Sequence, residues 1–277
     1  MKVSIITINL NDKEGLTDSI KSVINQDFKD FEFIVIDGDS NDGSVDVVRQ
    51  YADKINYWVC EPDKGIYDAM NKAIKVAKGD YCFFLNSGDI LTSDSVLSEI
   101  FQDNPQASFI SLDFSVVKDG ELKLIKLYDK RSWDLALYDI YAGFLCHQAF
   151  LIRKDNFDKY GLYDDSLKII SDWKHFLNAI GVHHEKVVYK DICICTVKPN
   201  GVSQNASHYQ VLGEKMKVMD ELVSPQTLKR LNELYYYESN GYIIDIILSR
   251  KWIHRGFRLF CKIGRTLGFV NKEKSEN

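Results

Sequence analysis

Gly79-Asp80-Tyr81-Cys82-Phe83-Phe84-Leu85-Asn86-Ser87-Gly88-Asp89 is the stretch whose reading decides the fold. A helical pattern runs into Gly79, an apolar run follows, and that run breaks into a small polar cluster ending in a carboxylate. A strand that is apolar throughout is buried on both faces of a parallel α/β sheet. Its carboxyl end opens onto the ligand crevice. Asp89 is then placed where a metal or a charged ligand is held. Asn, Ser, Gly and Asp also form turns on their own account, so the cluster taken alone reads equally well as a plain turn. The segments before it separate the two readings.

Val3 to Ile8 reads as a buried strand ending in Asn9-Leu10-Asn11-Asp12. Asn11 or Asp12 suits the cap of the next helix, whose Leu16, Ile20, Val23 and Ile24 recur at helical spacing. Phe31 to Ile36 is a second strand, broken at Asp37-Gly38-Asp39-Ser40-Asn41-Asp42-Gly43 and followed by a helix with Val45, Val48 and Tyr51/Ala52 on one side. Ile55 to Cys60 is a third, closed by Glu61-Pro62-Asp63-Lys64-Gly65. An amphipathic helix with Ile66, Met70, Ala73, Ile74 and Ala77 as its stripe then leads back to Gly79. Strands alternating with helices mean right-handed crossovers and a parallel sheet. One polar strand end is a turn, but four on the same edge make a polar crevice.

Two nucleotide-binding patterns are absent: no GxGxxG follows the first strand, and no GxxxxGK[ST] occurs. Asp37, Asp39 and Asn41 imitate the start of a calcium loop. The turn glycine of such a loop would be residue 42, which is Asp, and its bidentate Glu would be residue 48, which is Val.

The second half is less regular. Ala107 to Val117 reads as one strand or two, and Cys146 to Ile152 as another with His147 and Gln148 at its polar start. Ile169-Ile170-Ser171-Asp172-Trp173 enters a helix carrying Trp173, Phe176, Leu177 and Ile180, with Ser171 or Asp172 suited to its N-cap. Val187 to Val197 is a further strand, ending at Lys198-Pro199-Asn200-Gly201-Val202-Ser203, and from about 207 the pattern is helical.

Across its 277 residues the chain is 45% hydrophobic and 27% charged, an ordinary globular composition. A net charge of −5 argues against a nucleic-acid partner. The N-terminus lacks the length and cleavage site of a signal peptide, and no apolar stretch approaches the ~20 residues of a membrane-spanning helix. The six cysteines form no CxxC pair and mostly lie in apolar runs, which suits reduced thiols and a cytoplasmic protein. From Arg250 to Arg265 there are six Lys/Arg and no acid. At ~100° per residue, Arg250, Lys251, Arg255, Arg258, Lys262 and Arg265 share one arc of roughly 140°. Trp252, Ile253, Phe257, Leu259, Phe260, Ile263 and Leu267 fill the other side. Such a helix either lies in an anionic membrane surface, here through residues 250–267, or packs on the main domain with a solvated basic face.

The ordered set Val3–Asn11, Phe33–Ser44, Glu61–Asn71, Phe84–Asp89, His147-Gln148 and Ser171-Asp172-Trp173 resembles the inverting family 2 glycosyltransferases with the GT-A fold. The run Pro62 to Asn71 resembles in particular bacterial members that build O-antigen and capsule repeats. The resemblance implies an α/β GT-A fold, a Rossmann-like, mainly parallel mixed sheet flanked by helices. The domain would span residues 1–203, with a nucleotide-sugar half at 1–112, an acceptor half at 113–203 and a helical extension at 204–277. It implies nucleotide binding by Asn9, Asn11, Asp37, Asp39, Asp63, Lys64 and Asn71, and Mg²⁺ or Mn²⁺ on Asp89. Asp172 matches the catalytic base, with His147 and Trp173 on the acceptor side. Leu10 replaces the aromatic that commonly stacks on the base, Gly38 replaces an Asp, and Asn86 and Gly88 stand where the family's metal motif carries acids. These changes leave the base open and Asp89 as the clear protein ligand for the metal.

The implied reaction transfers a sugar, most readily from a UDP-sugar, to a saccharide or lipid-linked saccharide acceptor in surface polysaccharide synthesis. It would take place at the cytoplasmic face of the membrane. A single displacement needs one base near the acceptor hydroxyl and inverts the anomeric centre. A second reading is a non-catalytic nucleotide-sugar-binding or membrane-docked scaffold of the same fold. A nucleotidyltransferase would want a glycine-rich basic loop after the first strand, which Asn9-Leu10-Asn11 is not.

Overall fold

The computed structural model describes residues 1–118, 120–126, 137–143, 145–199 and 206–249. The chain divides into two compact units, Met1–Leu222 and Val223–Asn277. The first unit opens with β1 (Val3–Asn9), α1 (Lys13–Ile24), β2 (Phe31–Asp37), α2 (Ser44–Gln50), β3 (Tyr57–Cys60), α3 (Ile66–Val76) and β4 (Tyr81–Phe84). β1 pairs in parallel with both β2 and β4, and β2 with β3. β1 and β4 are buried along their whole lengths, as strands covered on both faces must be.

Register places the strand tips on one edge. Asn9 lies opposite Asp37, Asp37 opposite Cys60, and Ile6 opposite Phe84. Beyond β4 the backbone stays zipped to β1: Leu85 N donates to Ile6 O at 2.9 Å and Ser87 N to Ile8 O at 3.1 Å. The other end of β4 is fixed by a close approach. A Cβ on Gly79 would sit 2.5 Å from Ser4 N, so glycine alone fits there. Gly79 N donates to Ser4 Oγ at 2.9 Å and to the buried Glu32 carboxylate at 3.1 Å, which Ser4 Oγ also bonds at 2.6 Å.

The unit continues through β5 (Ile90–Leu91), α4 (Val96–Phe101), β6 (Phe109–Lys118), β7 (Glu121–Ile125), α5 (Leu137–Ala142), β8 (Phe150–Arg153), α6 (Asp155–Tyr160), α7 (Ser171–Phe176), β9 (Val187–Val197) and α8 (His208–Leu222). The strands run in the order β3-β2-β1-β4-β8-β6-β9-β5, with β7 paired to β6. β8 is antiparallel to β4 and β6, β5 is antiparallel to β9, and β6 runs parallel to β9. The result is the expected α/β sheet, parallel in its first half and mixed in its second.

Several local expectations shift. Asp12 caps α1, its Oδ1 accepting from Gly15 N at 3.2 Å. Asn11 adopts a left-handed φ of 52° and accepts from Asn41 N instead. α2 buries Val48 as expected, but Ser44 and Val47 are buried with it while Val45, Tyr51 and Ala52 are half-buried; Asp42 accepts from both Ser44 N and Ser44 Oγ at the helix start. Ala107 to Val117 is one strand, folded as a hairpin onto β7. His147–Ala149 is a 3₁₀ turn, and the strand begins only at Phe150. Neither Ser171 nor Asp172 caps α7, whose N-cap position is Ile170. Glu214 of α8 serves that end, accepting from the backbone N–H groups of Lys168, Ile169 and Ile170 at 2.7–3.2 Å.

The second unit contributes α9 (Pro225–Ser249), with Ser224 Oγ accepting from Thr227 N at 3.2 Å and Pro225 at the first helical position. The helical expectation from 207 is met by α8 and α9, while the basic arc at 250–267 lies outside the described residues. Among the described residues no helix is long and apolar enough to cross a membrane.

His175 on α7 is buried, stacked on Phe157 at 4.7 Å between ring centroids. Burial pushes its pKa down from 6.5 to about 4, against the pull of the Asp172 charge. The folded chain thus keeps the imidazole neutral where the unfolded chain takes up a proton. Stability contributed above the unfolded pKa is therefore lost as pH falls through this window. We expect the acid-side loss of melting temperature to be smaller in His175→Phe than in the parent, by the equivalent of up to about 3 kcal/mol. Superimposable melting curves against pH in the two proteins would contradict this.

Candidate active site

The carboxyl edge of the sheet carries two cavities, of about 540 and 790 Å³. Asn9, Leu10, Gly38, Asp63 and Tyr67 line the smaller one. Asp89, His147, Gln148, Asp172, Trp173 and Lys198 line the larger. Asp12, Asn86 and Ser87 line both and so form the rim they share.

Asp89 sits at the end of the turn after β4. Gly88 holds a φ of 91°, and buried Ser19 of α1 ties the turn down by accepting from Gly88 N at 2.9 Å and donating to Asp89 O at 2.7 Å. The Asp89 carboxylate accepts from Lys198 N at 2.9 Å and Gln148 Nε2 at 3.2 Å. Only 2% of the residue is exposed, and burial pushes its pKa up to about 6 despite those bonds.

Asp172 of α7 lines the same cavity. Its Oδ1 accepts from Trp173 N at 2.9 Å and shares the Tyr67 hydroxyl, 2.8 Å away, with Ile169 O at 2.7 Å. Its Oδ2 accepts from His147 Nδ1 at 2.8 Å. The second imidazole nitrogen, Nε2, lies 3.1 Å from Asn86 Nδ2. With this amide orientation Asn86 donates and Nε2 accepts, which assigns the His147 proton to Nδ1. Burial, then the Asp172 charge, raises the Tyr67 hydroxyl well above its ordinary pKa, so it stays a donor. The two carboxylates singled out in the sequence thus line one cavity. Trp173, with Nε1 donating to Ile140 O at 2.9 Å, forms part of its wall.

Residues 4–161 match the family described as Glycosyl transferase family 2. The chain belongs to that family. An uncharacterized glycosyltransferase of Mycobacterium tuberculosis is 30% identical, over 79% of this chain and 83% of the relative. Among solved structures, Staphylococcus aureus TarS 1–349 in complex with UDP is similar with a TM-score of 0.61 and 20% identity, over 79% of this chain and 64% of that one. This chain thus spans less than two thirds of that TarS chain. The mannosyltransferase PcManGT of Pyrobaculum calidifontis, in complex with GDP-Man and Mn²⁺, is similar with a TM-score of 0.60 and 13% identity, over 95% of this chain and 80% of that one. Both likenesses are of fold.

Within this family 2 chain the expected nucleotide residues separate. Asn9 and Asp63 line the smaller cavity and Asn11 the larger. Asp37 lies beneath them, buried, its Oδ1 accepting from Ser40 N at 2.8 Å and Cys60 Sγ at 3.2 Å and its Oδ2 from Asn9 Nδ2 at 2.7 Å. It knits the tips of β1, β2 and β3 together. Asp39 and Lys64 are exposed and line neither cavity. Asn71 lines neither cavity: its Oδ1 accepts from Tyr163 N at 3.0 Å and its Nδ2 donates to Tyr163 O at 2.8 Å, so the buried amide clamps that backbone. Sequence reading missed Tyr67, Asn86, Gln148 and Lys198. Tyr67 carried a signal, since a tyrosine placed among helix core positions must find a partner for its hydroxyl.

Donors suited to a hard cation are present. Asp89 supplies a carboxylate, Ser87 lines the same rim, and Asn86 Oδ1 is a buried oxygen with no partner. Among the described residues no group of three His, Cys, Asp or Glu gathers to hold a metal. The set therefore fits Mg²⁺ or Mn²⁺ held by few protein oxygens, with phosphate and water completing the shell.

Asn71→Ala removes both bonds of the clamp and strands the Tyr163 backbone groups. It should lower unfolding free energy by about 1–3 kcal/mol, with nucleoside diphosphate affinity by calorimetry unchanged. Unaltered stability together with lost affinity would return Asn71 to the nucleotide site.

Proposed function

We propose that this chain transfers a sugar from a nucleotide-sugar donor, UDP-sugars foremost, to a hydroxyl of a saccharide or lipid-linked saccharide acceptor with inversion, in bacterial surface polysaccharide synthesis. The observation that carries this is the pairing of Asp89 and Asp172 on the walls of one 790 Å³ cavity, beside a second cavity bordered by the tips of β1 and β2. The UDP and GDP-Man held by the fold neighbours support the donor class and leave the base open. The acceptor class is supported by the likeness of Pro62 to Asn71 to repeat-building enzymes. Attachment to the cytoplasmic face of the membrane through residues 250–267 is part of the same proposal, supported by the basic and apolar arcs of that sequence.

The nucleoside would occupy the smaller cavity, the diphosphate the shared rim, and the sugar and acceptor the larger cavity. Among the described residues Asp172 Oδ2 accepts a single bond, from His147, and so keeps a lone pair for the acceptor hydroxyl. As the acceptor oxygen bonds to the anomeric carbon its proton passes to Asp172, and the bond to phosphate breaks with its electron pair leaving on the diphosphate. Tyr67 and His147 hold the carboxylate in one orientation throughout, which is the positioning a general base requires. Mg²⁺ or Mn²⁺, held by Asp89 with Asn86, would neutralise charge on the leaving diphosphate as a Lewis acid.

Asp172→Asn should leave donor KM nearly unchanged and cut kcat by about 10²–10⁴. Near-normal turnover would remove Asp172 from the role. Slow hydrolysis of the sugar nucleotide without acceptor separates the enzyme from the binding-only reading, which allows none.

A further inference from the structure

The side chain of Lys198 has no part in the reaction above, yet it occupies the rim. It follows β9, and its backbone N–H donates to Asp89 at 2.9 Å, which fixes its Cα beside the carboxylate. Its stem lies across Gly88, where a Cβ would come within 2.3 Å of Lys198 Cδ. The missing side chain at Gly88 is therefore the slot that lets the lysine reach over the turn. Its ammonium, on a half-exposed side chain, rests on both oxygens of Asp12, at 2.9 and 2.8 Å. Asp12 is one of the three residues lining both cavities, so the cation stands where the two meet.

Charge makes this position informative. Asp12 and Asp89 bring negative charge to a rim that, on the reading proposed above, must take a diphosphate. Lys198 lines the larger cavity with its ammonium on Asp12 of that rim, whereas Lys215, which also lines that cavity, lies over the Trp173 ring, and Lys168 lines the smaller cavity. A half-exposed pair with one carboxylate is weak, and a diphosphate offers more charge and more acceptor oxygens than Asp12 does. We propose that Lys198 is a diphosphate-binding residue: Asp12 parks its ammonium in the free protein, and the donor's phosphates take it over. The proposal rests on the donor reading above and adds a protein cation to the charge neutralisation there.

Calorimetry of the full chain with UDP and with GDP, in chelator and again with Mn²⁺, tests it. Lys198→Met should weaken nucleoside diphosphate binding by about tenfold or more in chelator, with uridine or guanosine binding and the melting temperature unchanged. Lys198→Arg should retain most of the affinity. Asp12→Asn keeps a helix cap while removing the competing charge, so affinity should hold or rise. Parent-like binding by Lys198→Met, or an equal loss for diphosphate and nucleoside, overturns the proposal and leaves the donor reading intact. Failure of the parent chain to bind either diphosphate overturns both.

Discussion

The buried carboxylate of Asp89 is the knot of the site. Burying a carboxylate is costly unless donors satisfy it. Here the donors come from two distant parts of the chain, the backbone N–H of Lys198 and the amide of Gln148. Satisfying one side chain therefore brings the end of β9 and the turn before β8 to the tip of β4. The same arrangement explains why Gly88 has no side chain and why Ser19, deep in α1, spends its hydroxyl on this turn. The site is held by the fold's own need to satisfy polar groups, so its geometry is set before any ligand arrives.

A second network runs from Tyr67 through Asp172 to His147 and Asn86. It links α3, α7, the 3₁₀ turn and the β4 tip, and it passes along the border of both cavities. A carboxylate with three donors on two oxygens has little orientational freedom. A fixed orientation of this kind is what the general base proposed above would need to meet a hydroxyl.

The first half of the fold was legible because its strands are apolar throughout and end in polar clusters, a pattern that parallel pairing turns into one crevice. Asp89 was singled out by strand pattern and Asp172 by resemblance, and the two line one cavity. The stripe of α3 was legible too, with Met70, Ala73, Ile74 and Ala77 buried as expected and only Ile66 half-buried. What spacing left out is the width of the buried face, which also takes in Tyr67 and Asn71 because the Tyr163 segment and Asp172 pack there. Contacts across long separations were also out of reach, such as Tyr67 to Asp172 over 105 positions and Lys198 to Asp12 over 186. Asn71 was assigned to the nucleotide by resemblance alone. Its amide proved to be the partner that two backbone groups required.

The central claim, that the strand tips converge on one pocket built for a nucleoside diphosphate, is tested most directly by diffraction from crystals grown with Mn²⁺ and UDP or GDP. The account predicts the nucleoside in the smaller cavity, phosphates on the rim of Asp12, Asn86 and Ser87, and an anomalous peak beside Asp89 with Asp172 open to the same space. A nucleotide bound on another face, or Asp89 and Asp172 opening into separate cavities, would contradict it.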